Sequence, residues 1–216
     1  MRPLTDHTPK PLLTVHGKPL IVWHLERLAA VGISDIVINH AWLGEQIEQT
    51  LGDGSQWGVR IQYSPESPAL ETAGGIARAL PFLGPDPFLV INGDIWCDWP
   101  LAKAQRIASD LQLNPDTLAH LIMVSNPAHH LSGDFGLTQT SQMLTMTDPK
   151  LTFSGIGIYQ PALFLTLDPD KPAPLGPLLR GAITTTSVRG EHYGGQWLDV
   201  GTPERLDELT KLLANR

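Results

Sequence analysis

Two aspartates stand in matched settings. Asp94 follows the apolar run Phe88-Leu89-Val90-Ile91 and the pair Asn92-Gly93, and Asp199 ends Trp197-Leu198-Asp199 shortly before Gly201. Mg²⁺ takes octahedral oxygen ligands, commonly one or two carboxylates, with waters and phosphate oxygens filling the remaining positions. Taken singly, a strand-end aspartate reads equally well as a turn former or helix cap. Two such cases in one chain favour a shared metal. Lys10 lies between prolines in Thr8-Pro9-Lys10-Pro11, a stiff loop that keeps it out of a helix and fixes its direction. A point charge held there suits a phosphate, although an exposed lysine alone would pass for ordinary surface. Glu71-Thr72-Ala73-Gly74-Gly75 precedes a helix and offers amides, glycines and a carboxylate for a nucleobase edge and ribose. The glycine pair by itself is weak evidence. Chemistry of this kind brings anionic groups together, so cations and orientation count for more than covalent catalysis.

The elements that must position these groups follow from hydrophobic period. Ile21, Leu25, Leu28 and Ala29 share one helical face between Pro19 and Gly32. The run 35–39 reads as a buried strand, 43–51 as a helix and 59–63 as a strand. After a proline-rich turn, a helix is expected over 73–80 and an apolar strand over 87–91. Alternation of strand and helix predicts a Rossmann-like, mostly parallel central sheet flanked by helices, an α/β fold. Ligands of such sheets sit beyond the carboxyl ends of the strands, which singles out Asn39-His40 and Asn92-Gly93-Asp94. The second half, with strands expected at 118–125, 135–138 and 151–159, suggests antiparallel additions. Residues 187–200, interrupted by Gly194-Gly195, read as a hairpin. Thr202 then N-caps a last helix with Pro203 at its first position and Leu206, Leu209, Leu212 and Leu213 facing inward.

Bulk properties bound the rest. A chain of 216 residues fits one α/β domain over 1–216. A formal charge of −7 excludes general affinity for nucleic acid or anionic lipid. Any phosphate site must then be local. Cys97, the single cysteine, reads as a small buried hydrophobe beside Trp96 and rules out an intrachain disulfide. No apolar run is long enough for a membrane span, and no apolar stretch follows Met1, so the sequence predicts a cytoplasmic protein. Oligomeric state is not legible.

The ordered set Arg2-Pro3-Leu4-Thr5, Thr8-Pro9-Lys10-Pro11, Glu71 to Gly75, Asn92-Gly93-Asp94 and Trp197 to Glu204 resembles the signature of the sugar-phosphate nucleotidyltransferases. The resemblance spans nearly the whole chain, and the order is more specific than any one motif. It implies that Arg2 and Lys10 contact phosphates, that Glu71, Thr72, Gly74, Gly75 and Asn92 hold base and ribose, and that Asp94 and Asp199 hold Mg²⁺. Within the family, His40-Ala41-Trp42-Leu43-Gly44, Asn126-Pro127 with His129-His130, and Gly133-Asp134-Phe135 resemble the bacterial N-acetylmuramate 1-phosphate uridylyltransferases of cell-wall recycling. That implies UTP and a sugar 1-phosphate as partners, with Asn126, Asp134, Ser154 and Gly155 near the sugar. His129-His130 is not expected to bind zinc, because adjacent residues on extended backbone point apart.

The family's signature begins with a buried strand and a glycine-rich loop before the Arg-Pro-Leu-Thr, and this chain starts inside that run. It is therefore expected to be N-terminally truncated, to lose the amides that wrap a triphosphate, and to pair its sheet less well. A Glu-Lys-Pro found in many relatives is also missing, with Lys150 the nearest lysine. The missing tripeptide weakens a thymidylyl- or guanylyltransferase reading, although mannose-1-phosphate guanylyltransferase stays the main rival within the enzyme class. The missing loop adds a rival of another class, a non-catalytic module that binds nucleotide sugars. A glycosyltransferase is disfavoured because Asp94 is followed by Ile95-Trp96 and forms no Asp-x-Asp.

Overall fold

The computed structural model describes residues 1–138 and 143–214. Its elements in chain order begin with β1 (Thr14–Val15), β2 (Lys18–Pro19), α1 (Leu20–Ala30), β3 (Asp35–His40), α2 (Gly44–Leu51) and β4 (Arg60–Pro65). There follow α3 (Glu71–Leu83), β5 (Phe88–Ile91), β6 (Ile95–Cys97), α4 (Lys103–Leu113), β7 (Ala119–Val124) and β8 (Phe135–Leu137). The chain closes with β9 (Leu144–Thr145), β10 (Lys150–Tyr159), α5 (Leu175–Thr184), β11 (Val188–Tyr193), β12 (Trp197–Asp199) and α6 (Pro203–Leu213). The residues fall into two compact units. The first holds Met1–Ala69, Gly93–Trp96 and the chain from Leu198 onward; the second holds Leu70–Asn92 and Cys97–Trp197.

In the first unit, β1 and β2 form a hairpin turned by His16 and Gly17, both at positive φ (51° and 75°), as a tight two-residue hairpin turn demands. Helix α1 is amphipathic as expected: Ile21, Val22 and Leu25 pack with Leu12, Ile38, Ile47 and Leu51 in one apolar cluster. Strands β3 and β4 pair in parallel, Asp35 opposite Arg60 through His40 opposite Pro65. A second cluster joins Leu13, Val15, Leu20, Trp96 and Val200 to Leu209 and Leu213 of α6. Thr202 does cap that helix, its Oγ1 accepting from the Arg205 amide at 3.3 Å, with Pro203 at the first position.

The second unit is organised by β10. One edge of this long strand pairs antiparallel with β7; the other meets β8 at Lys150-Leu151 and β5 at Ile156–Tyr159. A register shift between Phe153 and Gly157 marks the changeover, and a bulge of this kind re-aims the side chains beside it. The antiparallel additions expected of the second half are thus present, and β11 pairs in parallel with β7. Strand β5 takes β10 as an antiparallel partner. One detail differs from the sequence reading: residues 187–200 are no hairpin, because β11 finds β7 while β12 pairs with β6. Cys97 is fully buried, as expected. No described helix is long and apolar enough to cross a membrane.

Candidate active site

In the first unit the prolines around Lys10 do not leave it in a plain loop. Pro9 is extended, and Lys10–Leu12 forms one 3₁₀ turn anchored by buried Leu12 and Leu13. That turn aims Lys10 at Asp94: Nζ donates to Oδ2 at 2.6 Å. The pair is partly open, with the lysine side chain 28% exposed and the aspartate 40%. The Val200 amide donates to the Asp94 carbonyl at 2.8 Å, so the backbone that carries Asp199 runs beside the backbone at Asp94. His24, buried in α1, holds the next carbonyl along, its Nε2–H donating to Ile95 O at 2.9 Å.

Asp199 has a cation of its own, one the sequence reading missed. Arg205, in the first turn of α6, donates from Nη1 to Asp199 Oδ2 at 2.5 Å. The Thr202 cap fixes the start of that turn. Gly201 permits the crossing, since a Cβ there would overlap the Arg205 guanidinium. The signal in the sequence was an arginine three residues past a capping threonine. The first unit thus assembles two carboxylates on neighbouring backbones and two cations paired with them. Among the described residues no group of three or more His, Cys, Asp or Glu is placed to hold a metal ion. A cation bound by Asp94 and Asp199 would need water or phosphate oxygens to complete its shell, which is how Mg²⁺ is ordinarily held.

Gly93 separates the functional reading of Asp94 from a purely structural one. A Cβ at Gly93 would lie 3.5 Å from Pro11, an ordinary contact, so packing does not require glycine there. Arg2, largely exposed, pairs with Asp6 at 3.3 Å. Both residues, with Lys10, Asn39, His40 and Trp42, line a cavity of about 520 Å³ within this unit.

The second unit holds the remaining candidates in separate places. Glu71 to Gly75 do not precede α3; they are its first turn, entered with Glu71 at φ 58°. The amides of Ala73 and Gly74 both donate to Ala173 O, at 2.9 and 3.1 Å. A Cβ at Gly74 would come within 2.6 Å of Lys171 O, so this glycine serves the packing of residues 171–173. Glu71 and Thr72 stay exposed. Asn92, Ser154 and Gly155 come together: the Asn92 amide donates to Gly155 O at 2.9 Å, and Gly155, at φ +85°, sits against the Asn92 side chain. Ser154 is fully buried, its Oγ accepting from Ile156 N at 3.1 Å and its carbonyl from Trp197 Nε1 at 2.8 Å.

Asn126 and Asp134 act on the other half of β10. The Asn126 amide donates to Leu131 O and Lys150 O, both at 3.0 Å, and its Oδ1 accepts from Thr152 Oγ1 at 2.8 Å. Asp134 Oδ2 accepts from Phe153 N at 2.8 Å, while Oδ1 lies 3.1 Å from His130 Nε2. These two side chains tie the segment between β7 and β8 to β10.

The chain is 53% identical over 216 residues, covering 98% of itself and 92% of the relative, to the N-acetylmuramate alpha-1-phosphate uridylyltransferase of Neisseria meningitidis serogroup B (strain ATCC BAA-335 / MC58). It is 32% identical over 218 residues to the protein of the same name from Caulobacter vibrioides, covering 94% of the chain and 88% of the relative. In fold it superimposes on a Bacillus anthracis chain assigned as a glucose-1-phosphate thymidylyltransferase, with a TM-score of 0.83 at 19% identity, covering 100% and 91% of the two chains. The family model for nucleotidyl transferases matches residues 1–216, and the chain belongs to the nucleotidyl transferase family.

Proposed function

We propose that this protein transfers the uridylyl group of UTP to a sugar 1-phosphate, N-acetylmuramate 1-phosphate, giving the UDP-sugar and pyrophosphate. The observation that carries the reading is the pairing of Lys10 with Asp94 at 2.6 Å beside the backbone that bears Asp199. The identity to relatives named for that reaction supports the choice of nucleotide and sugar.

An oxygen of the sugar 1-phosphate attacks the α-phosphorus in line. The bond from that phosphorus to the bridging oxygen of the departing pyrophosphate breaks. The attacking phosphate is already ionised, so no base has to remove a proton. Lys10 turns from Asp94 to an α-phosphate oxygen and neutralises charge where it develops. Asp94 and Asp199 would hold Mg²⁺, which supplies charge neutralisation to the phosphate oxygens when bound. Arg205 holds the Asp199 carboxylate in place and balances its charge when the metal is absent.

The resemblance gives Arg2 a phosphate role, and Glu71, Thr72, Gly74, Gly75 and Asn92 the base and ribose. Glu71 and Thr72 keep exposed side chains for this, whereas Gly74 contributes shape. It places Asn126, Asp134, Ser154 and Gly155 by the sugar. Asn126 and Asp134 already bond to neighbouring backbone, so their part is to set the edge of β10.

The test pairs UTP and GTP in turn with N-acetylmuramate, N-acetylglucosamine, glucose and mannose 1-phosphates, and follows pyrophosphate release. UTP with N-acetylmuramate 1-phosphate should be fastest, with loss of turnover in Asp94→Asn and Asp199→Asn. Preference for GTP and mannose 1-phosphate would replace this reading with guanylyl transfer. Binding of UDP-sugar with no pyrophosphate release under any pairing would make the protein a binding module.

A further inference from the structure

The turn after β3 is held firmly around one exposed side chain. His40 ends the strand; its carbonyl accepts from the Glu66 amide at 2.9 Å, and its Nε2 lies 2.7 Å from Glu48 Oε1. Its side chain is only 6% exposed, and the ring meets Tyr63 edge-on at 5.9 Å between centroids. The same ring lies close against Gly44, where a Cβ would overlap the imidazole. Leu43 between them adopts left-handed backbone, φ 52°, a conformation that strains a residue with a branched side chain. This over-determined turn presents Trp42, 67% exposed.

The indole N–H makes one long contact, donating to Thr5 O at 3.4 Å. It borders the same cavity of about 520 Å³ as Lys10, Arg2 and Asn39. Tryptophan is the side chain that gains most from burial. Holding it outward, over a cavity that contains a lysine, gives the cavity a flat apolar plate next to a phosphate-binding charge.

We propose that Trp42 stacks on the ring of a phosphate ester whose phosphate is held by Lys10, and that His40, Gly44 and Glu48 position it. The proposal rests on the transfer reading for the identity of that ester. An indole face accepts either a pyrimidine or the C–H face of a hexose. The ring is therefore the uracil of UTP or the sugar of the 1-phosphate, and the two can be told apart.

Trp42→Ala and Trp42→Phe, at an exposed position where folding is spared, are compared with the wild type. UTP and N-acetylmuramate 1-phosphate are each titrated alone by calorimetry, and both are then used together in turnover. Stacking predicts that Trp42→Ala raises Kd and KM for one of the two by about tenfold, that Trp42→Phe recovers most of it, and that kcat changes less than about twofold. The ligand affected names the ring. Unchanged Kd for both ligands, a loss confined to kcat, or a wild type that binds neither ligand overturns the proposal. Weakened binding in Trp42→Ala alongside a wild type that never releases pyrophosphate sinks the transfer reading and leaves the stacking role standing.

Discussion

Lys10 and Asp94 form a charge pair open enough to water that its contribution to stability is small, on the order of 0–1 kcal/mol. Its value lies in direction. The 3₁₀ turn at Lys10–Leu12 holds the ammonium over a carboxylate, a contact in which a phosphate can replace the carboxylate and a metal can replace the ammonium. Removing the charge should therefore separate function from folding. Lys10→Ala is expected to lower kcat/KM by about 100-fold, the scale seen when one charge-stabilising group is lost from a transition state. Its melting temperature should stay close to wild type. A melting temperature many degrees lower, with kcat/KM scarcely changed, would make Lys10 a structural residue. Neither the pairing with Asp94 nor that of Arg205 with Asp199 was legible beforehand as a contact. Proline spacing fixed how Lys10 leaves the chain but said nothing of a partner far along the sequence.

At the scale of elements, helix α6 shows how a local signal reaches the site. Thr202 caps it, and the capped amide belongs to Arg205, the residue that holds Asp199. Thr202→Ala should cost about 1 kcal/mol and lower the melting temperature by roughly 2–4 °C. Because the first turn carries Arg205, kcat should fall with it, and Thr202→Ser should restore both. A Thr202→Ala protein that melts lower but turns over at the wild-type rate would detach the cap from the site. This helix, α1 and the β3–β4 pair were legible because period, cap and proline all lie within a few residues of each other. Helix α3 was not placed correctly at its start. Leu70 provides no side-chain cap, and the first-turn amides are satisfied by Ala173 instead. The Gly194-Gly195 pair misled for a similar reason: it suggests a hairpin, but β7 offers β11 a longer partner from elsewhere in the chain.

At the scale of the whole molecule, each unit has an apolar core of its own, and a few polar groups are enclosed with it. In the first unit His24 bonds the carbonyl that follows Asp94. Burial, and next the Arg27 charge, push its pKa down from 6.5 to about 4, against the opposing pull of the Ile95 hydrogen bond and the Asp94 charge. Its Nε2–H is committed to Ile95 O, and Nδ1 is enclosed with no hydrogen-bond partner among the described residues. The ring is therefore folded in as the neutral tautomer. Above pH 6.5 it is neutral in both folded and unfolded chains, and its full contribution to stability is present. Between pH 6.5 and about 4 the unfolded chain takes up a proton that the folded chain refuses, so stability falls as pH falls. Over that window the loss from this one group is roughly 3 kcal/mol. His120, buried on β7 and likewise shifted down chiefly by burial, adds a loss of the same sign. Urea unfolding at steps from pH 7 to pH 4 should show this slope in the wild type and a shallower one in His24→Gln, whose amide can still donate to Ile95 O but does not titrate. Parallel slopes in the two proteins would mean that His24 takes up its proton over the same pH range folded and unfolded. Below pH 6.5 the backbone beside Asp94 would then rest on a charged contact and not on the neutral one described.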